Sequence, residues 1–180
     1  MIYIKKFCFL YFSTYNNCVL IRYYFIIYMI MNIEKFTLNS STRIQEAQDR
    51  ANKEKHNQIT PLHLLSTMLE SDDSLVKDIL LDMGVDLRLM TWAVKKEFGK
   101  IPKIEWNYQL SLSPELNTVF TESEKIAERN KDQFITEEHL LLALIDYAPR
   151  EVKDIFSAFS ITSPKIKEVI DTMRAGEKVT

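Results

Sequence analysis

The three histidines are the first residues of this chain whose type and spacing could support chemistry. His63 and His139 each lie three residues after a threonine and directly before two leucines, and His56 precedes the first of them. None has a cysteine partner or a second histidine four residues away, so the spacing is not that of a zinc site. No motif supports a Ser–His–Asp or Cys–His nucleophile, although a single sequence leaves that arrangement open. We expect His63 and His139 to lie in the first turns of helices and to make local hydrogen bonds.

Two acids, Asp132 and Glu138, are further candidates for a functional role. The Ile-Thr-x-x-His-Leu-Leu segment that begins at Ile59 returns 76 positions later. At that offset Asp132 corresponds to His56 and Glu138 to Leu62, so the repeated unit does not require an acid at either place. A structural explanation is available for each, because the helix macrodipole favours an acid in a first turn and Asp132 could cap or solvate a loop.

The repeat also predicts the elements that must position these residues. The offset needs no gap, and apolar residues recur at helical spacing after Phe36. A hydroxyl residue precedes a proline at Thr60, Ser113 and Ser163, which is a helix-start signal, and Gly84 lies where a helix should stop. We predict an all-α fold of two pseudo-symmetric four-helix repeats without strands, with helices near 39–55, 61–71, 74–83, 86–98, 114–130, 137–147, 150–159 and 164–175.

These helices define the expected domain organisation. One domain covers residues 32–175, with repeat one at about 36–98, repeat two at about 112–175 and an irregular connection between them. Residues 176–180 would begin a linker. The Leu and Met stripes are expected to form the core, and the Lys/Glu-rich faces are expected to be solvated.

Composition argues against several classes of function. Residues 1–32 contain Lys5, Lys6 and Arg22 and no acid, so they contribute +3 to a net charge of −2 and the remainder carries −5. An acidic domain without a basic stripe argues against nucleic-acid binding. The chain has no phosphate-binding loop sequence, and we expect no cofactor, no metal and no catalysis. Both cysteines, Cys8 and Cys18, precede the helical region, which fits a reducing, cytoplasmic location.

The first 31 residues differ from the rest and leave three interpretations open. Six of the eight tyrosines lie there among Ile, Phe and Asn. The apolar run at 18–31 contains Arg22 and is shorter than the roughly 20 residues that span a bilayer. The segment also lacks a small-residue signal-peptide cleavage site. A mis-assigned start, with translation beginning at Met31, is the interpretation that we favour over a membrane-associated segment or another origin.

The repeated motif, the Phe36-Thr37 pair and the ending Met-Arg-Ala-Gly-Glu-Lys-Val-Thr together resemble the duplicated N-terminal domain of Clp/Hsp100 AAA+ unfoldases. The ending is closest to the ClpB disaggregases. The resemblance covers about residues 32–180 and implies an eight-helix domain of two four-helix repeats. In relatives this domain precedes two AAA+ ATPase modules and helps to deliver unfolded or aggregated polypeptide to them.

The resemblance also implies functional residues. A threonine before the first helix and two acids around the start of the sixth are implicated in substrate handling, and they match Thr37, Asp132 and Glu138. Thr37 could equally be a helix cap. Phe120 is a candidate for lining an apolar groove beside the acids. Glu122 and His139 stand where relatives can have apolar groove residues, so the groove could be smaller here.

We therefore expect a substrate-reception module whose partners are unfolded or aggregated polypeptides and the AAA+ modules of an unfoldase. The alternative is a stand-alone adaptor-docking or regulatory domain of a ClpA/ClpC-type protease system. A catalytic domain of unknown type is a third, weaker possibility.

Overall fold

Eight helices and one pair of short strands make up residues 34–105 and 109–174, the part of the chain that the computed structural model describes. Every helix begins and ends within two residues of its predicted bounds. The elements are α1 (Leu38–Lys53), β1 (Gln58–Ile59), α2 (Pro61–Glu70), α3 (Leu75–Asp82), α4 (Leu87–Phe98), β2 (Ser111–Leu112), α5 (Pro114–Asn130), α6 (Glu137–Tyr147), α7 (Arg150–Ala158) and α8 (Ser163–Arg174). The extension at 1–31 and the linker at 176–180 lie outside the described residues.

Helix starts repeat with the same 76-residue offset as the sequence, and we call residues related by it equivalent. Thr37 caps α1 through a hydrogen bond from the Ser40 backbone N–H, and the equivalent Ser113 caps α5 through Leu116. These hydroxyls satisfy N–H groups that the first turn leaves without a carbonyl partner. Thr37 is therefore a helix cap, as its structural explanation requires.

Helix ends repeat as well. Lys55 and Lys131 both adopt a left-handed backbone with φ of 61°, and Gly84 (φ 73°) has its equivalent in Ser160 (φ 56°). After each left-handed residue, the backbone N–H of the next residue donates to a carbonyl of the preceding helix. Examples are His56 N–H to the Ala51 carbonyl and Asp132 N–H to the Ala127 carbonyl. Repeat two therefore holds a serine where repeat one uses glycine.

The two repeats exchange short backbone pairings. Phe36 bridges Ile135 in parallel, and the equivalent residues Leu112 and Ile59 pair in the two-residue strands β2 and β1. The Thr37 N–H donates to the Ile135 carbonyl at 3.0 Å, and Ser113 donates to Ile59 at 2.9 Å. The expectation of no strands was wrong in this detail. The strands are too short to show alternation and arise from a contact between distant segments.

The core lies around α2 and α6, which are buried on all sides except at their last residues. The helix contacts between repeats also come in equivalent pairs. The helix α1 packs on α6 as α5 packs on α2, and α3 packs on α8 as α7 packs on α4. The fold is thus two four-helix units with pseudo-twofold symmetry. None of the helices in the described part of the chain is both long and apolar enough to cross a membrane.

One buried ion pair breaks this symmetry. Arg43 of α1 lies with its Nε 3.2 Å from Oε1 of Glu137 in α6, and both side chains are 2% exposed. The other oxygen of Glu137 accepts hydrogen bonds from the Ser74 hydroxyl and the Leu75 backbone N–H at the start of α3. Burial raises the pKa of Glu137, an effect that Ser74 and Arg43 oppose. The equivalent positions hold a valine and a proline, so repeat one and repeat two meet differently here.

Exchanging residues at the equivalent left-handed positions should cost stability at Gly84 but not at Ser160. Gly84→Ser should lower the free energy of unfolding by about 1 kcal/mol, because a side chain disfavours positive φ. A Cβ at Gly84 would meet no atom within 4 Å, so a steric clash does not contribute. Ser160→Gly should be neutral or raise stability by less than about 1 kcal/mol, since a freer unfolded chain offsets the relieved strain. Urea denaturation measures both, and destabilisation by Ser160→Gly would contradict the argument.

Removing the Glu137 carboxylate should be among the most destabilising single changes. Glu137→Ala should cost about 3 kcal/mol, because Arg43 loses a buried counter-charge and the start of α3 loses its acceptor. The matched control is Glu46→Ala, which removes a carboxylate 2.7 Å from Arg43 that is 43% exposed. Chemical denaturation should show the control within about 1 kcal/mol of wild type. Equal costs for the two variants would argue against the buried pair.

Candidate functional site

The rings of His63 and His139 take part in the N-terminal caps of α2 and α6. The Thr60 N–H donates to His63 Nδ1 at 3.0 Å, and the Thr136 N–H donates to His139 Nδ1 at 3.1 Å. Each Nδ1 is therefore an acceptor, and the ring proton is on Nε2. Both rings are 0% exposed. The expectation of local hydrogen bonds in the first turn is confirmed for both histidines.

Each Nε2–H needs an acceptor inside the protein, and the two repeats supply different ones. His63 donates to His56 Nδ1 at 2.9 Å, whereas His139 lies 3.1 Å from Oδ2 of Asp132. The interpretation that the fold does not require an acid at 132 holds, because a neutral imidazole fills the equivalent place. This position supplies an acceptor in both repeats, although His56 Nε2 is itself buried without a hydrogen-bond partner in the described part of the chain. Asp132 therefore has a structural role whether or not it binds a partner.

Asp132 and Glu138 converge on one side chain, Arg174 at the end of α8. Arg174 Nη1 lies 2.6 Å from Asp132 Oδ2, and Nη2 pairs with Glu138 Oε2. The two acids are 8% and 7% exposed, so the guanidinium covers them. Burial lowers the pKa of Arg174, but the hydrogen bonds and charges of the two acids outweigh this effect and raise it overall.

The equivalent of Arg174 in repeat one is Phe98, which covers His56 and His63 where Arg174 covers Asp132 and Glu138. The Phe98 ring stacks on His56 with centroids 6.1 Å apart and meets His63 edge-on at 5.0 Å. Repeat one thus has an uncharged aromatic cluster where repeat two has an ionic one. Arg174 was not among the site residues predicted from the sequence. The 76-residue offset pairs Arg174 with Phe98, so the comparison that singled out Asp132 and Glu138 would also have identified Arg174.

Thr37 and Phe120 reach the same region through Phe36. The Phe120 ring is partly buried and contacts Phe36 edge-to-face, with centroids 5.6 Å apart. Thr37 bonds Ile135, which lies between Asp132 and Glu138 in the chain. Leu38 and Phe134 flank that hydrogen bond in sequence and are 82% and 37% exposed. Neither residue was predicted from the sequence, because exposed apolar residues do not stand out in a helical pattern.

His139 and Glu122, which stand where relatives can have apolar groove residues, lie in different environments. His139 is fully buried in its cap, so it cannot line a surface groove. Glu122 is half-buried on α5 and pairs with Lys125 at 2.7 Å. Within 34–105 and 109–174, no three histidine, cysteine or acidic side chains are grouped so as to hold a metal ion. The arrangement offers charges and apolar contacts for binding.

The chain belongs to the Clp repeat (R) N-terminal domain family, whose model matches residues 35–159. Among curated proteins it is similar to chaperone protein ClpB of Clostridium tetani, 29% identical over 153 residues, and to that of Rhodopseudomonas palustris, 32% identical over 148. These matches cover 83% and 81% of this chain but only 18% and 17% of the relatives. The chain therefore spans about a fifth of the length of those chaperones.

Solved structures give the same fold. The Hsp104 N-terminal domain from Candida albicans has a TM-score of 0.69 at 24% identity, covering 81% of this chain and 95% of that one. The N-domain of ClpV from Vibrio cholerae has a TM-score of 0.68 at 16% identity, covering 83% and 91%. A complex of a ClpV N-domain with a VipB peptide has a TM-score of 0.65 at 17% identity, covering 83% and 93%. The prediction of an eight-helix Clp N-domain is confirmed.

Acid should unfold this domain through its two buried histidines. Burial lowers the pKa of His63 and His139 to about 4 each, against an ordinary 6.5. The unfolded chain therefore takes up these protons first as pH falls from 6.5 towards 4, and stability is lost over that interval. Between about pH 7 and pH 5 the loss should be about 2 kcal/mol per histidine, measured by urea denaturation.

A matched variant separates this effect from the titration of acids. His63→Gln/His139→Gln keeps a side chain that can bond the N-cap N–H, as glutamine does in a capping box. The variant should fold and lose most of the pH dependence over that interval. A variant curve parallel to that of wild type would assign the acid sensitivity to other groups.

Proposed function

We propose that this chain is the polypeptide-reception domain of a ClpB-like unfoldase and that it binds unfolded or aggregated clients for AAA+ modules in the same cytoplasmic assembly. The supporting observation is that two nearly buried acids share one arginine. Exposed Phe134 lies between these acids in the chain, and exposed Leu38 follows Thr37, whose backbone N–H bonds Ile135. We call Leu38, Phe120, Phe134, Asp132 and Glu138 the reception surface, with Thr37 as the cap that holds the start of α1.

Apolar contact should supply most of the affinity. Unfolded clients expose leucine and aromatic side chains, and burying apolar area contributes about 25 cal/mol per Å². Ordering a disordered client offsets much of that gain. Leu38 and Phe134 expose only a small apolar area in total, so binding should be weak and tolerant of client sequence. A module that must accept many clients and release them benefits from weak binding.

The acids should select clients more than they strengthen binding. Asp132 and Glu138 already have a charged partner in Arg174, so a basic client residue must replace that contact. Exchanging one cation for another leaves only a small net gain in binding energy, because the acids keep a counter-charge throughout. Clients with arginine or lysine beside an apolar stretch would then be preferred, and salt should reduce the preference.

Adaptor docking is the second candidate function. The observation that favours it is a solved ClpV N-domain of this fold in complex with a VipB peptide. A domain of this fold can therefore hold one defined segment of a partner. A folded adaptor with a single docking segment would saturate at one molecule per domain and compete with unfolded clients only if both use the reception surface.

Changes at Glu138 and Arg174 should affect client binding in opposite directions. Glu138→Gln should weaken binding of an unfolded, casein-like client by about fivefold at low salt, since one attractive charge is lost. Arg174→Gln should strengthen it by a similar factor, because the acids no longer have their internal partner. Fluorescence anisotropy with labelled client measures both effects, and both should shrink as salt is raised.

The opposite signs exclude instability as the cause, because both variants break the same ion pair and should lose stability. Arg50→Gln is the matched control, since it removes an arginine that pairs with Glu70 on the exterior of repeat one. It should leave client affinity unchanged. If Glu138→Gln and Arg174→Gln both bind as wild type does, these acids have no part in client selection.

A further inference from the structure

The last turn of α8 is tied to the reception surface through Arg174. Ile170 is the last buried residue of this helix, and the three residues between it and Arg174 are exposed. The Arg174 side chain is 16% exposed, and its guanidinium pairs with Asp132 and Glu138. These ion pairs therefore hold the turn that follows Ile170, at the point where the chain leaves the helix.

The equivalent turn of α4 is held by a contact of a different kind. Phe98 lies where repeat two has Arg174, and its ring packs on His56 and His63. This aromatic cluster offers no carboxylate to a cation of a client. An arginine between two acids, in contrast, can be exchanged for another cation without leaving the acids unpaired. Of the two repeats, the second therefore ends in a contact that a basic client residue can take over.

Arg174 can leave the acids at a reduced cost. Its Nε is buried without a hydrogen-bond partner within residues 34–105 and 109–174, and release would return this N–H to water. A lysine or arginine of the client would meanwhile pair with Asp132 and Glu138, so that neither carboxylate would lose its counter-charge. Because the guanidinium covers both acids, a client cation and Arg174 cannot occupy this place together.

We propose that Asp132, Glu138 and Arg174 form a latch, the α8 latch, which couples client binding to the end of the last helix. A basic client residue displaces Arg174, and the last turn of α8 then loosens. The proposal rests on the reception function and adds its regulation. Coupling between two sites is reciprocal, so loosening this turn by other means should strengthen client binding. The chain runs on from Arg174 into residues 175–180, so binding would change the structure where the polypeptide leaves α8.

Amide hydrogen exchange of the full chain tests whether client binding loosens this turn. The probes are a peptide of leucine, phenylalanine and lysine residues and the same peptide with acetylated lysines, which carry no charge. At saturation, the lysine peptide should speed exchange at residues 171–174 at least about fivefold, and the acetylated peptide should not. Exchange in the last turn of α4, which Phe98 holds, should stay the same with either peptide.

The outcomes separate the latch from the function on which it rests. Unchanged exchange at residues 171–174 with the lysine peptide bound would overturn the latch and leave client reception standing. An equal increase with both peptides would also overturn it, because the charge of the client would then have no part. If fluorescence anisotropy shows that neither peptide binds, the reception function fails, and the latch fails with it.

Two proline variants test the reciprocal effect. Thr172 is exposed and donates to the Glu168 carbonyl within α8. Thr172→Pro should disrupt the last turn and strengthen binding of the lysine peptide about fivefold, whereas a change that only destabilised the domain would weaken it. The matched control, Lys96→Pro, disrupts the equivalent turn of α4 and should leave affinity unchanged. Wild-type affinity in a folded Thr172→Pro variant would overturn the latch. The exchange measurement needs no variant, so it decides the proposal even if a proline variant does not fold.

Discussion

Two backbone hydrogen bonds, one from each repeat to the other, position the helix starts and the segment that joins Asp132 to Glu138. Thr37 donates to Ile135 and Ser113 donates to Ile59, so the residue that caps the first helix of one repeat is tied to the segment before the second helix of the other. The caps at Thr60 and Thr136 follow directly in sequence, and the buried histidines follow the caps. An exchange of this kind orders both helix starts in each repeat with only a few residues of strand pairing, and it holds Thr37 beside the segment that joins the two acids.

Comparison of the two repeats separates what the fold needs from what one copy has acquired. Both repeats supply an acceptor for the histidine Nε2–H, but only repeat two does so with a carboxylate. In repeat two that carboxylate pairs with Arg174, whose equivalent in repeat one is Phe98. The acid and the arginine therefore occur together in repeat two, and repeat one lacks both. The acids are accordingly part of the packing as well as candidates for binding. Their contribution to client selection depends on how readily the arginine can be replaced.

The fold was predictable because its signals are local. Hydroxyl–proline pairs, the stop at Gly84 and the periodic leucines each act within one or two helical turns, and the helix bounds followed from them. The candidate site was predictable only in part. Asp132, Glu138 and Thr37 came from a repeat comparison and a family resemblance, whereas the Arg174 contact joins positions 42 residues apart, which periodicity does not reveal. The β1–β2 pairing was missed for the same reason, since two residues cannot show a strand pattern.

The buried Arg43–Glu137 pair bears on how a duplicated domain can evolve. A homodimer of repeat one would place each Arg43 against a proline, and a homodimer of repeat two would place each Glu137 against a valine. Arg43 would keep Glu46 and Asp73, which belong to its own repeat, but it would lose its buried counter-charge. Glu137 would lose both Arg43 and the Ser74 hydroxyl, whose equivalent is Arg150. The two halves are therefore complementary at this contact, which forms only between unlike copies of the duplicated unit.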